Sequence, residues 1–176
     1  SVLSAALEQY PDRLVQVAIH QNDEYTSNNY YDFASYFKFS GIPAIFFDFD
    51  KEGPSAVSMS AADVVNTIKE YQATGAKVGI AMSSTVDADR NVTVSVRVTP
   101  SEAGMYRLAT SLGGDSLGEV AENTEVVKEY TFSLKGYTDN CRVVAYVNTA
   151  DGDVYATTNA ASCPVNGRTD YRFETA

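Results

Sequence analysis

The first 75 residues change between helical and strand-like spacing of their apolar side chains. A helix is predicted at the start, where apolar residues recur at roughly every third or fourth position, at Leu3, Ala6, Leu7 and Tyr10. Two nearly continuous apolar runs follow, at 14–19 and 44–47, and such runs suit strands that are covered on both faces. Between them a second helix is predicted from the apolar face of Tyr30, Phe33, Ala34 and Phe37. Because this helix is long enough for a crossover connection, the two strands are predicted to lie parallel in one sheet.

The segment that follows contains a short strand and a longer helix. Residues 55–59 are predicted to form the strand, and Ser60 with Asp63 resembles a capping box at the start of the helix. The buried face of this helix is expected to be Ala61, Val64, Val65, Ile68 and Tyr71. A C-cap at Thr74-Gly75 ends it. The composition changes at this point, so the first domain is predicted to span residues 1–75.

Strict alternation of apolar and polar residues begins after this boundary. A turn centred near residue 88 pairs Val78 with Val98 and Ile80 with Val96, which places the apolar side chains on one face. Further strands are predicted at 106–112, 130–134, 142–148, 154–159 and 171–173, with a break at Gly113-Gly114. About seven short strands in about a hundred residues indicate an Ig-like β-sandwich. The second domain is therefore predicted to span residues 76–176.

The two cysteines are predicted to form a disulfide. With the hairpin turn near Asp151-Gly152, Cys141 falls almost opposite Cys163 on the paired strands. Closing this loop of about twenty residues should stabilise the fold by roughly 3 kcal/mol in the chain-entropy model. A disulfide indicates an oxidising, extracytoplasmic compartment, whereas two buried thiols would fit a cytosolic protein. Neither cysteine belongs to a Cys-x-x-Cys pair, so a zinc or redox motif is not predicted.

Composition and charge exclude several functions. The chain has 176 residues, 44% of them hydrophobic and 20% charged, and a formal net charge of −10. This charge repels phosphate backbones and anionic membrane surfaces, so nucleic-acid binding is not expected. No apolar run approaches the ~20 residues that span a bilayer. There is no signal peptide and no initiator Met, and we expect that an upstream segment has been removed.

The candidate binding residues lie at the end of the first predicted strand. His20, Asn22 and Asp23 follow that strand, and the carboxyl ends of parallel strands are the usual ligand side of an open sheet. Three tyrosines lie off the apolar helix face and extend this candidate edge: Tyr25, Tyr31 and Tyr36. The alternative is ordinary amphipathic packing, with His20 bonded to a loop. No catalytic constellation, metal site or cofactor motif is complete, and the acidic runs after Asp48 and Asp87 lack the carboxylate ligand that ends an EF-hand loop.

Three segments carry a resemblance to a known family: VQVAIHQNDEY, YFKFSGIPAIFFDFD and DNCRVVAYVNTADGDVYATTNAA. In this order they resemble the outer-membrane lipoproteins of Bacteroidetes type that are named for a twenty-eight-kilodalton outer-membrane protein. The resemblance implies an α/β plus all-β protein, in which a partial thioredoxin-like domain without its first strand precedes an Ig-like β-sandwich. It also implies export, a lipid anchor on an upstream cysteine, and a cis peptide bond before Pro43.

The chain departs from the thioredoxin pattern at the redox centre. Redox-active relatives carry a Cys-x-x-Cys pair between the first strand and first helix, which here would fall just before Ser1. Without a low-pKa thiolate at that position, the chain as given is expected to be inert in disulfide exchange.

Three functions follow as hypotheses. The leading one is a non-catalytic surface lipoprotein outside the cytoplasm, which binds an unknown protein, peptide or glycan or has a structural role. The first alternative is a thiol-disulfide oxidoreductase whose active dithiol lies upstream of Ser1. The second is a glycan- or peptide-binding module, which rests on the β-rich half and its exposed aromatic residues.

Overall fold

The chain divides into two compact units, with the division between Thr74 and Gly75. The computed structural model describes residues 1–11, 13–23, 30–110, 113–134 and 136–172. We call residues 1–74 the helical unit and residues 75–172 the sheet unit. The boundary predicted from the sequence, between residues 75 and 76, lies one residue from this division.

The helical unit contains three α-helices and one short 3-10 helix in its described part: α1 (Val2–Gln9), α2 (Tyr30–Phe37), the 3-10 helix (Ala56–Ser58) and α3 (Ala61–Gln72). Helix α3 begins at the predicted capping box, where Ser60 Oγ accepts a hydrogen bond from Asp63 N at 3.2 Å. In return, Ser60 N donates to Asp63 Oδ2 at 3.2 Å. These bonds satisfy backbone donors that a helix start leaves without partners.

Helices α1 and α3 share a small apolar core. Its buried residues come from both helices and from the loop between α2 and α3: Ala6, Phe47, Ala56, Val64, Val65 and Ile68. A polar link flanks this core, because Tyr10 donates to Gln72 Oε1 at 3.2 Å and Gln72 Nε2 donates to the Arg13 carbonyl at 3.0 Å.

The prediction of parallel strands at 14–19 and 44–47 was wrong. Neither segment belongs to a strand, and residues 55–59 contain the 3-10 helix rather than the predicted strand. A strand requires a hydrogen-bonded neighbour, and within the described residues these segments pair with none; Val17 and Ile19 remain 41% and 38% exposed. The Ile42–Pro43 peptide bond is cis, as the family resemblance implied.

The sheet unit consists of eight antiparallel strands in its described part: β1 (Val78–Val86), β2 (Asn91–Pro100), β3 (Gly104–Thr110), β4 (Gly113–Val120), β5 (Val126–Ser133), β6 (Arg142–Asp151), β7 (Val154–Pro164) and β8 (Gly167–Arg172). They form two four-stranded sheets, with the orders β5-β2-β1-β8 and β4-β3-β6-β7. The protein is thus mostly β. Gly113 and Gly114, where a break was predicted, instead begin β4, and they pair with Thr110 and Ala109 of β3.

The first hairpin shows how alternation determines which side chains are buried. Its register pairs Ile80 with Val98 and Met82 with Val96, two residues away from the predicted register. Because side chains alternate with a period of two, a shift by two residues leaves every side chain on its predicted face. The apolar side chains of β1 and β2 therefore point together into the core, as predicted.

One core joins the two sheets. From the first sheet it receives Val78, Ile80, Met82, Val92, Val94, Val96 and Val98, and from the second Tyr106, Leu108, Val120, Val143, Ala145, Val147, Ala161 and Cys163. Residues of both sheets are in contact within this one cluster, so the sheets pack face to face in a sandwich-like arrangement.

The predicted disulfide is not formed, because Cys141 and Cys163 are free thiols in this structure. The register pairs Cys163 with Val143, and the Cys141 carbonyl accepts a hydrogen bond from Val165 N at 3.3 Å. The two cysteines are therefore offset by two residues instead of opposed. Diagonal neighbours in a sheet have Cβ atoms farther apart than the roughly 4 Å that a disulfide needs.

Candidate functional site

Of the residues predicted to form a binding edge near His20, the structure brings His20 and Asp23 into direct contact. His20 Nδ1 and Asp23 Oδ2 lie 2.8 Å apart, and each side chain is 43% exposed. Asn22 beside them is exposed and has a positive φ of 58°. Tyr25 lies outside the described residues. Because no strand precedes this loop, the residues do not form the carboxyl-end ligand edge that the parallel-sheet hypothesis required.

The tyrosines of α2 belong to an aromatic cluster around that helix. The Tyr36 ring is 4.9 Å from Phe37 and 5.8 Å from Phe49, and the Lys51 ammonium lies 4.7 Å from the Tyr36 ring centroid. Tyr31, at 74% exposed, contacts Tyr30 edge to face at 5.4 Å. The contacts of Tyr36 are those of half-buried amphipathic packing, the alternative considered for this edge, whereas Tyr31 remains exposed.

A tight turn of the helical unit carries two carboxyl groups. Asp50 N donates to the Phe47 carbonyl at 2.8 Å, and both central residues are left-handed, with φ of 48° at Asp48 and 64° at Phe49. Tyr71 of α3 donates to Asp50 Oδ2 at 2.7 Å. Burial of the carboxyl, and secondly the charge of Asp50, raise the pKa of Asp48 from 3.8 to about 6. Among the described residues no group of His, Cys, Asp and Glu could hold a metal ion.

The most unusual group of polar residues lies on the sheet unit, on the face of the second sheet that points away from the core. Val143, Ala145 and Val147 of β6 point into the core, so Tyr146 and Asn148 point to the opposite side. Yet Tyr146 is only 8% exposed and Asn148 only 5%. Polar side chains that are this well buried need hydrogen-bonding partners, even where they point away from the core.

Those partners come from the neighbouring strands. The register places Asn148 between Arg107 of β3 and Thr157 of β7. Thr157 Oγ1 donates to Asn148 Oδ1 at 2.7 Å, and the Arg107 guanidinium lies 5.4 Å from the Tyr155 ring centroid. We call Arg107, Tyr146, Asn148, Tyr155 and Thr157 the polar face.

Small residues surround the tyrosine of this face. Tyr146 is paired with Ala109 on one side and with Ala160 on the other. Burial raises the pKa of Tyr146 to about 12, so its phenol stays neutral at physiological pH. The ring thus forms a fixed, uncharged part of the face, next to the charged Arg107.

A second arginine lies farther along β6. Arg142 Nε donates to Ser162 Oγ at 3.1 Å, and its Nη2 donates to the Ser162 carbonyl at 3.2 Å. It shares the outward side with Asn148, and the two positions are six residues apart along the strand, which corresponds to roughly 20 Å. The outward side of this sheet therefore presents guanidinium groups at two fixed points.

The sequence analysis missed the polar face completely. Its residues occur in three strands separated by up to about fifty positions, and each strand by itself shows ordinary alternation. One signal was available: Val143, Ala145 and Val147 alternate along β6 and point inward, and the positions on the other side of the strand include Arg142, Tyr146 and Asn148. Only the strand order reveals that Arg107 and Thr157 flank Asn148.

Comparisons with protein-family models, curated proteins and solved structures gave no match to this chain. In the described part of the chain, no helix has the length and apolar character needed to cross a membrane.

Proposed function

We propose that the chain is a non-catalytic binding module that acts outside the cytoplasm, and that the polar face of the second sheet is its binding surface. The observation that carries this proposal is the Asn148–Thr157 hydrogen bond on the outward side of the sheet, next to the partly exposed Arg107. Polar groups held in place before a ligand arrives lower the cost of ordering them on binding. The partner is a protein, a peptide or a glycan.

The strand order supports an Ig-like classification of the sheet unit. Ig-like sandwiches place strands A, B and E in one sheet and C, F and G in the other, and variable-type domains add a C′ strand beside C. The orders β5-β2-β1 and β4-β3-β6-β7 follow this scheme, and β8 is an additional strand beside β1. We propose on this basis, together with the family resemblance of the DNCRVV segment, that the protein is a surface lipoprotein.

The oxidoreductase alternative receives little support from the described cysteines. Cys163 is fully buried, and burial raises the pKa of its thiol. A buried thiol with a raised pKa supplies little thiolate, which is the nucleophile of disulfide exchange. An insulin-reduction assay on the full-length precursor distinguishes the alternatives. We expect no turnover, and turnover abolished by Cys-to-Ser changes upstream of Ser1 would contradict a non-catalytic role.

A stability measurement tests whether Asn148 has a binding role or a structural one. In the Asn148→Val variant, a β-branched side chain replaces the amide at a covered strand position, and the Thr157 hydroxyl can bond to water. We expect the free energy of unfolding to change by less than about 1 kcal/mol, or to increase, since residues kept for function are rarely optimal for stability. Urea denaturation followed by circular dichroism provides the measurement.

The control is Ser84→Ala in the first sheet. Ser84 is 3% exposed and its hydroxyl donates to the Val165 carbonyl at 2.8 Å. Its removal withdraws the hydroxyl from a buried acceptor, which should cost about 2 kcal/mol. If Asn148→Val destabilises the protein as much as Ser84→Ala does, Asn148 has a structural role and the proposal loses its main support.

A further inference from the structure

The polar face has a local charge opposite to that of the protein. The chain carries 23 acidic residues against 13 Lys and Arg, yet the register gives β3, β6 and β7 no acidic residue at an outward position among those described. On β4 the outward acid is Glu119, which is paired with Met105 rather than with Arg107. Arg107 and Arg142 have no carboxylate partner within the described residues. Two arginines on one face that have no carboxylate partner among the described residues favour an anionic ligand in an otherwise acidic protein.

The hydrogen bond between Asn148 and Thr157 holds both side chains in place but leaves Asn148 with amide hydrogens that can bind a ligand. The Thr157 bond occupies Asn148 Oδ1, and no acceptor among the described residues takes a hydrogen bond from Asn148 Nδ2. The Arg107 guanidinium faces the Tyr155 ring, and its N–H groups lie in the guanidinium plane, where they can donate to a ligand. The face therefore presents the planar guanidinium of Arg107, the two amide hydrogens of Asn148 and the Thr157 hydroxyl in a defined arrangement.

The position of β6 determines how a ligand can be recognised. Both of its edges are paired, to β3 and to β7, so its backbone cannot add an extended peptide strand. Arg107 and Asn148 lie on the interior strands β3 and β6, so a ligand that contacts both has to be recognised through side chains, whereas strand addition is possible only at the sheet edges β4 and β7. Saccharides suit such recognition, because they present many hydroxyls that donate and accept hydrogen bonds and have no need of a strand edge.

We propose that the polar face binds a carboxylate-bearing saccharide. Arg107 binds the carboxylate through two parallel N–H···O bonds, Asn148 Nδ2 and Thr157 bind ring hydroxyls, and Arg142 binds a second acidic unit farther along the chain of the ligand. This inference rests on the proposed function and specifies its ligand class. It implies that Arg107 is the residue that determines specificity for an acidic over a neutral saccharide.

The test is titration of the full chain with three acidic tetrasaccharides, of galacturonate, of alginate and of hyaluronan. Maltotetraose serves as a neutral saccharide and a hexapeptide of Asp and Glu as an acidic peptide. Amide NMR shifts locate the binding, and calorimetry gives Kd. We expect at least one acidic tetrasaccharide to shift amides of β3, β6 and β7 and to bind at least tenfold more tightly than maltotetraose.

Variants assign the effect to Arg107. Arg107→Gln should weaken binding of that tetrasaccharide at least tenfold, and Arg107→Lys, which keeps the charge but not the planar guanidinium, should weaken it less. The control is Arg97→Gln, because Arg97 lies on β2 in the other sheet and is exposed. It should leave Kd within twofold. The amide spectra of the variants without ligand verify that each remains folded.

Four results would overturn the inference. They are no shift on these strands with any acidic tetrasaccharide, equal affinity for maltotetraose, tighter binding of the acidic peptide, and unchanged affinity in Arg107→Gln. Neutral-saccharide or peptide binding on these strands would leave the proposed binding function intact and replace only the ligand class. Shifts confined to the helical unit would remove the polar face from both proposals.

Discussion

The helical unit and the sheet unit use similar apolar residues with opposite results. In the sheet unit Val94 and Val96 are completely buried, whereas in the helical unit Val17 is 41% exposed. All three lie in segments rich in valine and isoleucine. The difference is that β2 has hydrogen-bonded strands on both sides, β1 and β5, whereas the segment around Val17 pairs with no strand in the part of the chain that the structure describes. An apolar run thus becomes core only where a second element covers it.

The two units also differ in how their cores are assembled. In the sheet unit, residues from both sheets meet in one cluster that runs the length of the sandwich. In the helical unit, α1 and α3 contribute most of a small cluster, and the aromatic side chains of α2 form a separate, half-buried group. We therefore expect mutations to cost more in the sheet unit. The predictions below test that expectation.

The largest effect is expected for Leu108→Ala in the sheet unit. Leu108 is completely buried between the sheets, and truncating such a leucine leaves a cavity that should cost about 3 kcal/mol. The smaller truncation Val17→Ala in the helical unit should cost less than about 0.5 kcal/mol, mainly because Val17 keeps much of its solvent exposure. Urea titration followed by amide NMR reports each unit separately. Equal losses for the two variants would refute the contrast.

A smaller effect is expected for Ser60→Ala in the helical unit. The substitution removes the side-chain half of the capping box at the start of α3. Loss of a serine N-cap should lower the free energy of unfolding of the helical unit by about 1 kcal/mol. Ser60→Thr keeps a hydroxyl and should recover most of the loss. An effect spread equally over the amides of both units would contradict a local role for this cap.

The smallest effect is expected at Asp48 and depends on pH. Its pKa is about 6 in the folded protein, above the ordinary 3.8, so the folded state binds this proton more tightly. The stability contributed by Asp48 is therefore present below pH 4 and is lost as pH rises to about 6. Although protein atoms surround the Asp48 carboxyl, the residue as a whole is solvent-exposed, so solvent screening should limit the change to about 1 kcal/mol or less.

Asp48→Asn tests this linkage. Asparagine tolerates the left-handed backbone of this position and carries no charge, so it should stabilise the helical unit at pH 7 and reduce the fall in stability between pH 4 and 7. Urea midpoints of the helical-unit amides at both pH values provide the measurement. A variant whose pH dependence matches that of the parent chain would show that Asp48 titrates at its ordinary pKa.

The sequence predicted local features well where neighbouring residues supply the cause. The capping box of Ser60 and Asp63 formed as predicted, since both partners lie within one helical turn. The inward face of β1 and β2 was also predicted, although the register was wrong by two residues. Alternation specifies the face of a strand but does not distinguish registers that differ by two. That choice depends on the turn at Asp87 to Arg90, whose last residue has a φ of 62°.

Long-range features were predicted poorly. The parallel strands at 14–19 and 44–47 and the candidate edge near His20 all required a sheet that these segments do not form. The disulfide required a register that places Cys141 opposite Cys163, and the observed register places Val143 there. In each case the pattern in the sequence was compatible with the prediction, and a partner distant in the chain decided the outcome.

The sequence by itself determined the three α-helices and the strands with alternating patterns, the inward face of the first hairpin, the start of α3 and the net charge of −10. These properties depend on spacing, capping and composition, which are local. Only the tertiary structure decided which apolar runs are covered, how the cysteines are offset, and that Arg107, Asn148 and Thr157 lie side by side on one face. Those relations depend on strand order and register, which arise when distant segments compete for the same hydrogen-bonding and apolar partners.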